Sequence, residues 1–190
     1  DNRLTTLPES IGNLTHLTTL DLTDNQLTDL PESIGILINL TTLRLNTNEF
    51  TTLPKSIGNL SLLTKLDLSR NHLSKLSKEE LESLFISISK IPNLTTLSVN
   101  TNKLSTVPES IGNLTNLSEL DLSDNQLTTV PESIENLIKI HFEKNKKSVK
   151  PKIPMVAAIL KPNIAFPKEV QAQLPYTGSA SNTTGPTGFA

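Results

Sequence analysis

The chain of 190 residues contains no cysteine and no tryptophan. Without cysteine there are no disulfides, thiolate metal sites or cysteine nucleophiles, and the redox compartment stays open. Aromatic residues are only 3% of the chain, so base-stacking platforms and aromatic interface anchors are scarce. Neither sign of charge dominates. A formal net charge of −2 does not draw the chain as a whole to nucleic acid or an anionic membrane. No apolar run approaches the roughly 20 residues needed to span a bilayer, and the longest late one, Ile153 to Leu160, contains Pro154. Catalytic patterns are missing too. His16, His72 and His141 have no second ligand at metal spacing. There is no Gly-rich phosphate loop, G-x-S-x-G or H-E-x-x-H. The expectation is a chain that is no enzyme, holds no cofactor or metal, binds no nucleic acid and does not insert into a membrane.

What is present is a repeat. Leu7-Pro8-Glu9-Ser10-Ile11-Gly12-Asn13-Leu14 recurs 23 residues on from Leu30, again from Leu53, and later from Val107 and Val130. Between these blocks runs a second signature, LxxLxLxxNxL. Its copies are Leu17, Leu20, Leu22, Asn25, Leu27; then Leu40, Leu43, Leu45, Asn48, Phe50; then Leu63, Leu66, Leu68, Asn71, Leu73. Two more carry Leu94, Leu97, Val99, Asn102, Leu104 and Leu117, Leu120, Leu122, Asn125, Leu127. The L-x-L core has period two, so its leucines point inward and the residues between them outward. One such strand has nothing to bury against; stacked neighbours share a continuous core.

This pattern, over residues 1–145, resembles the leucine-rich repeat family in its 23-residue form. The resemblance implies an α/β fold: a right-handed solenoid with a parallel sheet on the concave face and short 3-10 or α turns on the convex face. It also implies an asparagine ladder through Asn25, Asn48, Asn71, Asn102, Asn125 and Asn145, satisfying backbone groups that would otherwise be buried unpaired. Pro8, Pro31, Pro54, Pro108 and Pro131 fix φ just before each convex turn. The glycines at 12, 35, 58 and 112 suit the turn's exit.

Three departures carry information. Asp1-Asn2-x-Leu4 aligns with Asp24-Asn25-x-Leu27, so the chain is expected to begin mid-repeat, as part of a longer array. From Leu76 to Val107 the interval is 31 residues instead of 23. The added stretch has Ser77 and Glu80 at capping-box spacing and puts Leu81, Leu84, Phe85 and Ile88 on one helical face. A longer convex helix is therefore expected near 77–90, either packed on the core or serving as a docking element. Ile36, Ile38 and Leu62 are extra apolar residues at outer positions, to be covered by that helix or to extend an exposed patch. Finally, Leu137, Ile140, Phe142 and Asn145 form a shortened last repeat, after which residues 146–190 read as a capping segment and a Pro/Gly/Ser/Thr-rich tail.

The concave sheet is the expected binding surface. Its candidate residues are Asp21 and Asp24, Arg44 and Asn46, Asp67 and Arg70, Ser98 and Asn100, then Glu119, Asp121, Asp124 and His141. Lys65, Ser69 and Ser123 also point outward. Asp21, Arg44 and Asp67 occupy equivalent positions and read as a cross-strand charge ladder or a polar recognition stripe. Glu119, Asp121 and Asp124 lack the loop geometry that wraps Ca²⁺ and read as a solvated acidic face. Seven N-x-[ST] triplets, at Asn13, Asn39, Asn59, Asn93, Asn113, Asn116 and Asn182, follow mostly from the repeat and carry no separate reading. Leu174-Pro175-Tyr176-Thr177-Gly178 looks like the L-P-x-T-G signal of cell-wall-anchored bacterial proteins. The expected function is a scaffold that binds a partner protein, one of a host included, on a secreted or surface-exposed bacterial chain. The alternatives are a structural spacer, a targeting module for an enzyme domain elsewhere, and a cytoplasmic setting.

Overall fold

The L-x-L segments do pair, one per repeat and in chain order. The computed structural model describes residues 2–128 and 130–134. Its strands are β1 (Thr19–Asp21), β2 (Thr42–Arg44), β3 (Lys65–Asp67), β4 (Thr96–Ser98) and β5 (Glu119–Asp121). They form one parallel sheet in the order β1-β2-β3-β4-β5. The central leucines are in register: Leu20 with Leu43, Leu43 with Leu66, Leu66 with Leu97 and Leu97 with Leu120. Inward residues Leu43, Leu45, Leu66, Leu68, Leu97 and Val99 are buried, and the outward residues between and beside them are half-buried or exposed, except Ser69, which is buried. Sheet register follows from this alternation, because a slip of one residue would turn every leucine to water.

Each strand is short because the chain turns inward at once. Asp24, Thr47, Arg70, Thr101 and Asp124 adopt left-handed backbone, with φ between 51° and 60°. For a β-branched threonine this costs about 1 kcal/mol or more. The next strand's carbonyls hold the turn in place, Thr47 N donating to Ser69 O at 2.9 Å and Thr101 N to Ser123 O at 3.1 Å. The turn delivers the asparagine to the interior. Asn71 Oδ1 accepts from Phe50 N at 2.9 Å, and its Nδ2 donates to the carbonyls of Leu45, Leu68 and Ser69. Asn25, Asn48, Asn102 and Asn125 repeat the scheme; Asn145 lies outside the described residues.

The convex side holds 3-10 turns at Glu9–Asn13, Glu32–Ile36, Lys55–Asn59 and Glu109–Asn113, each preceded by proline with φ between −64° and −76°. The glycines need a correction. None has positive φ, so they do not serve as turn exits. They let neighbouring repeats approach: a Cβ on Gly35 would lie 2.6 Å from both Cβ and the carbonyl oxygen of Ser56.

The long interval folds as α1 (Lys78–Ser89). Glu80 N donates to Ser77 Oγ and Ser77 N to Glu80 Oε2, completing the capping box. Leu81, Leu84, Phe85 and Ile88 are buried, so this face packs on the core. α1 leaves Ile36, Ile38 and Leu62 uncovered, at 56%, 52% and 47% exposure.

Candidate interaction surface

The outward side chains of β1–β5 and the turns after them make a polar face. Successive strands set its rows about 4.8 Å apart. Two regions differ. Across β1 and β2, Arg44 donates to Asp21 at 3.2 Å, and Thr23 Oγ1 donates to Asn46 Oδ1 at 2.8 Å. Hydrogen bonding by Thr23, with Arg44 beside it, holds the Asp21 carboxyl below its ordinary range. The pair is about half exposed on both sides and contributes little to stability. The expected three-rung ladder is corrected here: Arg44 pairs with Asp21 and not with Asp67. Asp67 instead turns to its own strand, Oδ1 accepting from Ser69 N at 2.9 Å and Ser69 Oγ at 2.5 Å.

Across β3 to β5 the side chains are linked. Ser69 Oγ and Ser98 Oγ are 2.7 Å apart, Asn100 Nδ2 donates to Ser98 Oγ at 3.1 Å, and Asn100 Nδ2 donates to Asp121 Oδ2 at 2.7 Å. Asp121 Oδ1 accepts from Ser123 N at 2.9 Å and Ser123 Oγ at 2.6 Å. Burial pushes the Asp121 carboxyl up, but bonds from Ser123, Asn100 and Ser98 outweigh it and leave the carboxyl below its usual range. The solvated acidic face therefore needs correction at its centre. Asp121 is half-buried and tied into a network, while Glu119 and Asp124 on either side are exposed. Among the described residues no group of three His, Asp or Glu is placed to hold a metal ion. Arg70, Asp24 and Asp124 sit on the left-handed turns at the rim, exposed. His141 and the Leu174, Pro175, Thr177, Gly178 motif lie outside the described residues, as do the shortened last repeat and residues 146–190.

Reading the sequence alone missed several rows that hold repeats together and so define which side chains are left for recognition. Asn39, Asn93 and Asn116 form a second, outer asparagine row, donating to the carbonyls of Thr15, Ser61 and Pro92 in the preceding repeat. Thr41, Thr64, Thr95 and Ser118 hydroxyls donate to the carbonyls of Thr18, Thr41, Thr64 and Thr95. Glu9, Glu32 and Glu109 accept from the amides of Ser33, Ser56 and Ser133 in the following repeat. The signal was available, since three of the triplet asparagines share one repeat position.

One strand per repeat, leucine inside and ordered polar side chains outside, defines a repeat scaffold for protein interaction. The chain belongs to the leucine-rich repeat family: a leucine-rich repeat region model matches residues 1–100 and a leucine rich repeat model matches residues 87–145. No curated protein matches. Among solved structures, a Leptospira interrogans leucine-rich repeat protein is similar at 38% identity and TM-score 0.54, over 72% of this chain and 39% of its own. A plant peptide hormone receptor, RGFR1, solved in complex with RGF2, is similar at 39% identity and TM-score 0.53, over 70% of this chain and 21% of its own. The functional domain of InlJ from Listeria monocytogenes, which includes a cysteine ladder, is similar at 31% identity and TM-score 0.51, over 67% of this chain and 24% of its own. The chain thus spans well under half the length of each. No helix among the described residues is long and apolar enough to cross a membrane.

Proposed function

We propose that this chain is a recognition scaffold, not a catalyst, and that it binds a partner protein on the outward face of β1–β5. The observation that carries this reading is the network from Asp67 through Ser69, Ser98 and Asn100 to Asp121. The repeats are stitched by the asparagine, threonine and glutamate rows, and these outward side chains are ordered in addition to them. Pre-ordered polar groups lose less entropy on binding. The relative that is a hormone receptor in complex with RGF2 supports the reading by analogy. With few aromatics, the anchors fall to Arg44, paired with Asp21, and to the exposed Arg70.

Pull-down of a candidate partner with Arg44→Ala plus Arg70→Ala, and with Asp121→Lys plus Asp124→Lys, tests this. Capture falls in both variants if the face is the site. Full capture by both would refute it. We further propose a secreted or surface position on a bacterial cell, supported by the Leu174-Pro175-Tyr176-Thr177-Gly178 match. Sortase treatment of the complete protein, read by mass, should cleave between Thr177 and Gly178; an uncleaved product refutes it.

A further inference from the structure

The long crossover changes more than the convex outline. An open cleft of about 460 Å³ lies between the first turn of α1 and the loop after β4. Its floor includes Leu73, Leu81 and Leu104, all buried. Among the described residues, the charged side chains lining it are Lys78 and Lys103, with hydroxyls such as those of Ser105 and Thr106 at the rim. Lys103 is there because its loop departs from the other repeats. Its φ is 59°, whereas Gln26, Glu49, His72 and Gln126 at the matching position are not left-handed. The preceding amide departs as well: Asn102 N donates to Asn125 Oδ1, whereas Asn25 N and Asn48 N donate to backbone carbonyls.

A second cleft of about 470 Å³ adjoins the first, sharing Lys78, Leu81 and Thr106. Among the described residues its additional charges are carboxylates: Glu79, Glu82 and Glu109. The two together form a groove with a cationic lobe, an apolar floor and an acidic lobe. Each lobe falls within the roughly 300–1,000 Å³ of ligand pockets. The helix terminus does not supply the positive end, since Ser77 and Glu80 close it; the two lysines do.

We propose that this groove binds an extended segment of a partner protein, with an acidic side chain between Lys78 and Lys103 and a basic side chain in the lobe of Glu79, Glu82 and Glu109. Charge complementarity selects such a segment and rejects like-charged ones. The groove uses none of the candidate concave residues, so it stands or falls apart from the concave-face reading.

The probes are fluorescein-labelled six-residue peptides with central leucines. One set has an acidic residue at one end and a basic residue at the other, in both orders; the controls are acidic or basic at both ends. Anisotropy titration of the whole chain should show one mixed-charge order binding at least about tenfold tighter than either control. Lys78→Ala with Lys103→Gly, which keeps the left-handed turn accessible, should abolish that preference while the circular dichroism spectrum is unchanged. Arg44→Ala with Asp121→Ala should leave it intact. Equal affinity for mixed and like-charged peptides would overturn the proposal, as would a preference that survives loss of both lysines.

Discussion

The crossover from β1 to β2 and the crossover from β3 to β4 begin and end alike. Both bring their strands into the same register, Leu20 with Leu43 and Leu66 with Leu97. Both close with an asparagine on equivalent partners: Asn48 bonds Leu27 N and Leu22 O, and Asn102 bonds Leu73 N and Leu68 O. Between those points they diverge. The first passes through a 3-10 turn, Glu32–Ile36, whose Ser33 amide is held by Glu9 of the repeat before. The second passes through twelve residues of α1, whose Ser77 amide is held by its own Glu80. Position 55, where the glutamate reaching forward would stand, is lysine. The inner layer is thus common to both crossovers, while the outer layer is exchanged together with the bond that anchors it.

If the inner layer is common, Asn48→Ala and Asn102→Ala should destabilise the chain alike. Each leaves a buried amide and buried carbonyls unpaired, so about 3 kcal/mol is expected for each, read from urea midpoints. Costs differing by more than about 1.5 kcal/mol would break the comparison. The outer layers should differ. Gly35→Ala drives a Cβ to 2.6 Å from the Ser56 carbonyl oxygen, while Gly58→Ala meets Lys90 Cβ at 2.8 Å and the Ser87 carbonyl oxygen at 3.2 Å. Overpacking of about 1–3 kcal/mol is expected at Gly35 and less at Gly58; the same urea titration ranks them.

Ser77→Ala should cost about 1 kcal/mol by loss of the cap. Its partner adds a pH signature. The Ser77 amide holds the Glu80 carboxyl below its ordinary range. A folded pKa lower than the unfolded one gives stability present above the unfolded value and lost as pH falls through the folded one. Glu80→Gln should therefore lower the melting temperature at neutral pH, and the difference from the parent should close in acid. The smallest effect belongs to the forward-reaching bond. Glu32→Ala should cost about 0.5 kcal/mol, whereas Lys55→Glu should gain nothing, because the serine at the matching place, Ser87, lies inside α1, where amides past the first turn bond within the helix. A gain at Lys55→Glu would show that the forward bond does not depend on the turn it meets.

Much of this was legible in the chain. The period, the inward leucines, the inner asparagines and the Ser77–Glu80 cap all follow from local spacing, and each has one geometric solution. What was not legible depends on which neighbour a side chain meets. Arg44 stands between Asp21 and Asp67, and sequence cannot choose between them; the structure pairs it with Asp21. Gly35 resembled a turn exit because glycine tolerates both left-handed backbone and close approach, and only the stacked Ser56 tells them apart. Asp121 looked solvated because its bonds to Ser98 and Asn100 cross from another strand.

The central claim is that the outward face of the sheet is ordered but not needed for the fold, and so is free for a partner. Thermal unfolding of one triple variant, Arg44→Ala with Asp67→Ala and Asp121→Ala, tests it against Asn102→Ala. Losses of about 0.5 kcal/mol at the exposed Arg44 and about 1 kcal/mol at each networked carboxylate predict a smaller drop in melting temperature for all three together than for the single asparagine. A drop as large as that of Asn102→Ala would contradict the account, since the network would then be a brace of the sheet.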